Sequence, residues 1–87
     1  MKVIATRSFE KNLKACPLDV QSKAKVVYQN LLTCTKLSEI TSLEKLGGHK
    51  SYFRIRIGTY RMGFELKDDT VELIAIMHRK EIYRYFP

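Results

Sequence analysis

Nowhere does this chain carry an apolar run of about 18 residues, so no segment reads as a membrane-spanning helix. The opening Met1-Lys2-Val3-Ile4-Ala5 lacks the long apolar stretch of a signal peptide. Cysteine is scarce: Cys16 and Cys34 match no metal-ligand spacing, and each falls at a helix end as a small buried hydrophobe. Together these features point to a reducing cytoplasm; no metal site and no cofactor is expected. Repeats and low-complexity segments are missing too, so residues 1–87 read as a single small domain with a thin margin of stability. Acidic residues are few, 9 against 16 lysines and arginines, and the formal charge is +7. That excess is spread over both halves, and it suggests a polyanionic or acidic partner.

What is present is a strong period-two pattern. In Tyr52-Phe53-Arg54-Ile55-Arg56-Ile57 apolar residues alternate with arginine. Strand side chains alternate faces, so Phe53, Ile55 and Ile57 point one way and Arg54 and Arg56 the other. Gly58-Thr59 reads as a two-residue hairpin turn. Ile57 then pairs with Tyr60, Arg56 with Arg61, Ile55 with Met62 and Arg54 with Gly63. Two arginines directly opposite each other repel. A sheet gains nothing from that pairing unless an anion sits between them, and the natural anion is a phosphodiester.

Upstream, Val3-Ile4-Ala5 is a strand candidate. Thr6 or Ser8 can cap a helix carrying Phe9, Leu13 and Cys16 at helical spacing. Pro17 ends that helix and suits the first turn of a second. Val20, Ala24, Val27, Tyr28 and Leu31 form the second helix's buried stripe. Residues 35–50 read as an irregular connector with a single helical turn, broken by Gly47-Gly48. Strands follow at about 51–57, 60–66 and 71–77, with Asp68-Asp69 as the second turn. Their core face collects Phe53, Ile55, Ile57, Tyr60, Met62, Phe64, Leu66, Val71, Leu73, Ala75 and Met77. Ile74 and Ile76 fall on the arginine face, which predicts a cover there from the C-terminal segment or a partner. The second turn also sets Glu65 opposite Glu72, an unfavourable pair. The expected architecture is α+β, in the order β-α-α-β-β-β, with a curved antiparallel sheet packed on a two-helix hairpin.

Leu46-Gly47-Gly48, the segment from Tyr52 to Arg61, the acidic turn, and His78-Arg79-Lys80-Glu81-Ile82-Tyr83-Arg84 resemble the RelE/ParE superfamily of bacterial toxins, over nearly the whole chain. Its RelE-like branch implies a metal-independent endoribonuclease that cuts mRNA in the ribosomal A site and is neutralised by a cognate antitoxin. The implied partners are therefore an antitoxin protein, mRNA and the ribosome. The active groups would be Arg54, Arg56, Arg61, Arg79 and Tyr83, with His78 adjoining them. RelE itself has lysines in the places of Arg54 and Arg56. Lysine can give up a proton when its surroundings favour it; arginine cannot, so a base role does not carry over.

Cleavage of RNA without a metal needs the 2′-hydroxyl deprotonated, the phosphorane charge stabilised and the leaving oxygen protonated. Arginines supply the second need through bidentate bonds to phosphate oxygens. Arg56 and Arg61 are the expected clamp on the scissile phosphate. Arg54 is expected on a neighbouring phosphate, with Gly63 opposite leaving room for the RNA chain. Arg79 falls on the leaving-group side. Histidine is the side chain that exchanges protons near neutrality, which makes His78 the candidate proton carrier. Tyr83 is placed to stack on a base or donate a hydrogen bond. Alternation alone would make the arginines a solvated face. His78 reads equally as a strand-end residue without a role, Tyr83 as packing, Tyr85 and Phe86 as packing or antitoxin contacts, and His49 as a surface residue. Two other functions share the pattern: a ParE-like toxin that poisons DNA gyrase, and a catalytically inactive RNA-binding module.

Overall fold

A computed structural model describes residues 1–87. Thr6 turns the chain from strand β1 (Lys2–Ala5) into helix α1 (Arg7–Lys14). Its hydroxyl accepts from the Phe9 N–H at 3.2 Å and donates to the Leu73 carbonyl at 2.8 Å, so one side chain caps the helix and ties it to the sheet. Pro17 sits at the N-cap of helix α2 (Leu18–Thr33) with φ of −56°, where its missing N–H costs nothing. Val20, Ala24 and Leu31 bury the inner face of α2. Val27 is half-buried and Tyr28 exposed, so the buried stripe is narrower than the sequence suggests.

The connector holds one 3-10 turn, Leu37–Glu39, as expected, and then a strand that was not expected, β2 (Leu43–Lys45). Strands β3 (Tyr52–Ile57), β4 (Tyr60–Lys67) and β5 (Thr70–His78) form an antiparallel meander. Gly58, at φ of +60°, makes the first tight turn possible. The five strands run in the order β1-β5-β4-β3-β2. The sheet is mixed rather than wholly antiparallel, because β1 lies parallel to β5. The C-terminal extension is helix α3 (Arg79–Tyr85). An α+β fold with a helical hairpin on one sheet face is thus what forms, with a further helix on the other face.

Glu65 does lie opposite Glu72. The pair is held by a shared cation: Lys67 Nζ is 3.6 Å from Glu65 and 3.8 Å from Glu72, and Ser51 donates to Glu65 at 3.2 Å.

One irregularity corrects the expected core. Gly63 pairs with Ala75 but Phe64 pairs with Leu73, so Ile74 is an extra residue bulged out of β5. Beyond the bulge, β5 changes phase. Ile76 turns to the helix side and joins Ile55, Ile57, Met62, Phe64, Val71 and Leu73 against α1 and α2. Ala75 and Met77, expected there, instead face α3. β1 stops at Ala5, opposite Leu73, and α1 takes over that edge. Ser8 donates to the Ile74 carbonyl at 2.8 Å and Asn12 accepts from the Ile76 N–H at 3.3 Å. Side chains of a helix therefore replace a neighbouring strand where the bulge breaks the ladder. Both cysteines are free and buried, and burial pushes the pKa of the Cys16 thiol up.

Candidate functional site

The outer face of the sheet divides into an apolar half and a cationic half. Ile82 and Phe86 of α3 and its C-cap are fully buried on the apolar half, over Leu46 and Ala75 with Tyr52, Ile74 and Met77 around them. This is the C-terminal cover that the apolar Ile74 predicted. A Cβ at Gly63 would lie 2.8 Å from the Phe86 ring. Gly63 therefore makes room for Phe86, not for a nucleic-acid chain.

The cationic half is built from β2, β3, β4 and α3. Arg54 stands opposite Gly63, and its guanidinium lies 4.7 Å from the centroid of the Tyr83 ring. Arg56 stands opposite Arg61 as expected, and Arg56 is exposed. Arg61 is not: only 6% of it reaches solvent. Its Nη1 donates to the carbonyls of Gly58 and Tyr60, both at 2.9 Å, so it also ties down the β3–β4 turn. The anion beside these arginines is a carboxylate of the chain itself. Glu44, on β2 opposite Arg54, places Oε1 3.8 Å from Arg54 Nε and 3.5 Å from Arg61 Nε. Sequence reasoning missed Glu44, since a strand of three residues carries almost no pattern.

Arg79 opens α3, exposed, with its backbone N–H donated to the Thr59 carbonyl at 2.8 Å. Tyr83 follows one helical turn later on the same side of α3 and is 57% exposed. His78 does not share this face. It pairs with Tyr60, whose ring it meets edge-on at 5.7 Å, and Tyr60 packs on the α1 and α2 side. The bulge at Ile74 is the cause: without the extra residue His78 would be one step out of phase and would point the other way. Its Nδ1 accepts from the Lys80 N–H at 3.2 Å, so His78 is the N-cap of α3. A shallow cleft there brings it near Cys16, Asn12 and Glu81. His49 is exposed and packs edge-on to Tyr52, and Tyr85 is exposed.

Five of the six expected residues, Arg54, Arg56, Arg61, Arg79 and Tyr83, thus belong to β3, β4 and α3 around one cationic face, with Glu44 added. Such an arrangement fits anion binding on a small basic α+β scaffold. The sequence pattern of the family described as the ParE toxin of type II toxin–antitoxin systems matches residues 3–83. This chain belongs to that family, within the RelE/ParE superfamily, and is a RelE-like toxin of a type II toxin–antitoxin system. It is 35% identical to Toxin RelE3 of Methanocaldococcus jannaschii over the full length of both chains. A chain of the RelB–RelE antitoxin–toxin complex from Methanococcus jannaschii superposes with a TM-score of 0.84 at 32% identity, covering 97% of this chain and 99% of that one. The archaeal RelE–RelB complex from Pyrococcus horikoshii OT3 shares the fold, with a TM-score of 0.73 at 20% identity over 90% of this chain and 93% of that one. No helix is long and apolar enough to cross a membrane.

Proposed function

We propose that this toxin is an endoribonuclease that cuts mRNA in the ribosomal A site without a metal. The observation that carries it is the convergence of Arg54 and Arg61 on one carboxylate oxygen, with Tyr83 against Arg54. Two guanidinium groups beside one oxyanion supply the positive charge that a pentavalent phosphorane requires. In the reaction, the 2′-oxygen bonds to phosphorus as the 5′-oxygen leaves. Solvent water at this exposed face takes the proton from the 2′-hydroxyl and returns one to the departing 5′-oxygen, since arginine cannot act as the base. Arg54 and Arg61, with the exposed Arg56 and Arg79, neutralise the charge that builds between those events. Tyr83 stacks on a base or donates to the phosphate. His78 faces α1 and supplies structure to α3 rather than a proton to RNA.

A cationic face that damages its host has to be masked, and relatives are solved as toxin–antitoxin complexes. This chain accordingly has a cognate antitoxin, acidic where it meets the arginines, and works where mRNA and ribosomes are, in the cytoplasm. The matched family description names a ParE toxin, which favours gyrase poisoning as the second function. Induction in a bacterial host decides between them. Primer extension on a translated message should show cuts within the reading frame, and co-expression of the neighbouring gene should restore growth. Intact message with trapped gyrase–DNA complexes would replace the nuclease by the gyrase poison. RNA bound without product would leave an inactive binding module.

A further inference from the structure

Glu44 is held in place from both sides. The Ser42 carbonyl accepts from the Arg56 N–H at 3.0 Å, and the Leu46 N–H donates to the Tyr52 carbonyl at 3.3 Å. Leu43 packs on the helix-side core, and Leu46 is buried under α3. The backbone therefore fixes Glu44 on the face of Arg54 and Arg61. Its carboxylate makes no hydrogen bond to either. At 3.5 and 3.8 Å, Glu44 Oε1 and both Nε atoms are buried without a hydrogen-bond partner. Buried donors and acceptors are seldom left so, and an ionised pair normally closes to about 2.7–2.9 Å. The carboxylate balances two charges without fitting the space between them. A phosphate is tetrahedral, offers oxygens in more directions, and arrives free of a tether.

We infer that Glu44 is an internal counter-anion, which occupies the Arg54–Arg61 site in the free toxin and must leave it before a phosphodiester enters. That the phosphodiester belongs to RNA rests on the nuclease function proposed above. The way out is open: β2 is the edge strand, and the Glu44 side chain is 36% exposed. The exchange also favours one kind of ligand. A lone small anion must displace Glu44 for two contacts, whereas an RNA strand brings further contacts to Arg56, Arg79 and Tyr83. Glu44 thus keeps a basic protein from binding every anion it meets.

The test compares the intact toxin with its Glu44→Gln and Glu44→Asp variants, using two probes. Inorganic phosphate is followed through the Nε–H signals of Arg54 and Arg61 by NMR. An RNA oligonucleotide blocked at every 2′-hydroxyl is followed by fluorescence anisotropy at fixed salt. Removing a like charge from beside the incoming phosphate should tighten both probes roughly three- to tenfold in Glu44→Gln. Glu44→Asp, whose shorter side chain withdraws the charge, should fall between, and it keeps the test alive if Glu44→Gln does not fold. Unchanged or weaker phosphate binding in folded variants would overturn the idea and make Glu44 a residue that positions the arginines. Tighter phosphate with no oligonucleotide binding in any variant would uphold the counter-anion and remove RNA as its competitor.

Discussion

Phe86 lies on Gly63 so closely that the smallest possible side chain there would meet its ring at 2.8 Å. The contact fastens the end of α3 to the centre of the sheet, and α3 in turn sets Tyr83 against Arg54. Gly63→Ala should push Phe86 out and destabilise the fold by about 1–3 kcal/mol, the usual cost of overpacking. Phe86→Ala should cost about 3–5 kcal/mol through the cavity it leaves. Because the residues touch, the double variant should lose less than the sum of the two. Urea denaturation of the four proteins measures this, and simple additivity would show that the contact does not fasten α3.

Arg56 and Arg61 are a cross-strand pair with unequal duties. Arg56 is exposed and has no ion pair, so Arg56→Ala should change stability by no more than about 0.5 kcal/mol. If Arg56 meets the phosphate, cleavage should still fall about 10²–10³-fold. Like-charge repulsion alone would let Arg61→Ala stabilise the sheet. The buried hydrogen bonds to Gly58 and Tyr60 reverse that expectation, and Arg61→Ala should cost about 1–3 kcal/mol. Cleavage assays on the ribosome, paired with thermal melts, separate the two roles.

His78 caps α3 through Nδ1. His78→Ala should weaken the helix by about 0.5–2 kcal/mol, whereas His78→Asn, which also caps, should lose much less. If capping is its whole contribution, His78→Asn should cut RNA at close to the parent rate. A folded His78→Asn toxin without cleavage would return His78 to the chemistry.

The Thr35 hydroxyl lies 2.6 Å from Glu39 and holds its carboxyl below the usual glutamate range. A carboxyl lowered by folding stabilises the fold above its unfolded pKa, and that contribution disappears as pH falls through the folded value. The turn at Leu37–Glu39 should therefore loosen only on acidification below about pH 4.3. In Thr35→Ala the Glu39 titration, followed by NMR, should move back up towards the ordinary range.

The arginine hairpin was legible because alternation and a Gly-containing two-residue turn both fix its register. Turn chemistry also placed Glu65 opposite Glu72. The pattern could not show the bulge, since Ile74, Ala75, Ile76 and Met77 are all apolar and an extra residue among them leaves no polar mark. That single residue moved Ala75, Ile76, Met77 and His78 to other faces than alternation assigns. Glu44 was hidden for another reason: its pairing with Arg54 is set by a strand too short for any period to appear. For α3 a signal was present. Ile82 and Phe86 stand four apart, the spacing of one buried helix face.

The parallel pairing of Lys2–Ala5 with Thr70–Leu73 joins segments at opposite ends of the sequence, while the β3–β4 and β4–β5 pairings each join strands that follow one another in the chain. Closing so long a loop is entropically expensive, so local hairpins gain a lead in time over the β1–β5 ladder. The arginine meander should then form before β1 docks and brings α1 onto the exposed edge of β5. Substitutions in β1, such as Val3→Ala, should quicken unfolding and leave the refolding arm of a chevron nearly unmoved. The order in which the molecule assembles would place its cationic surface ahead of the core that steadies it.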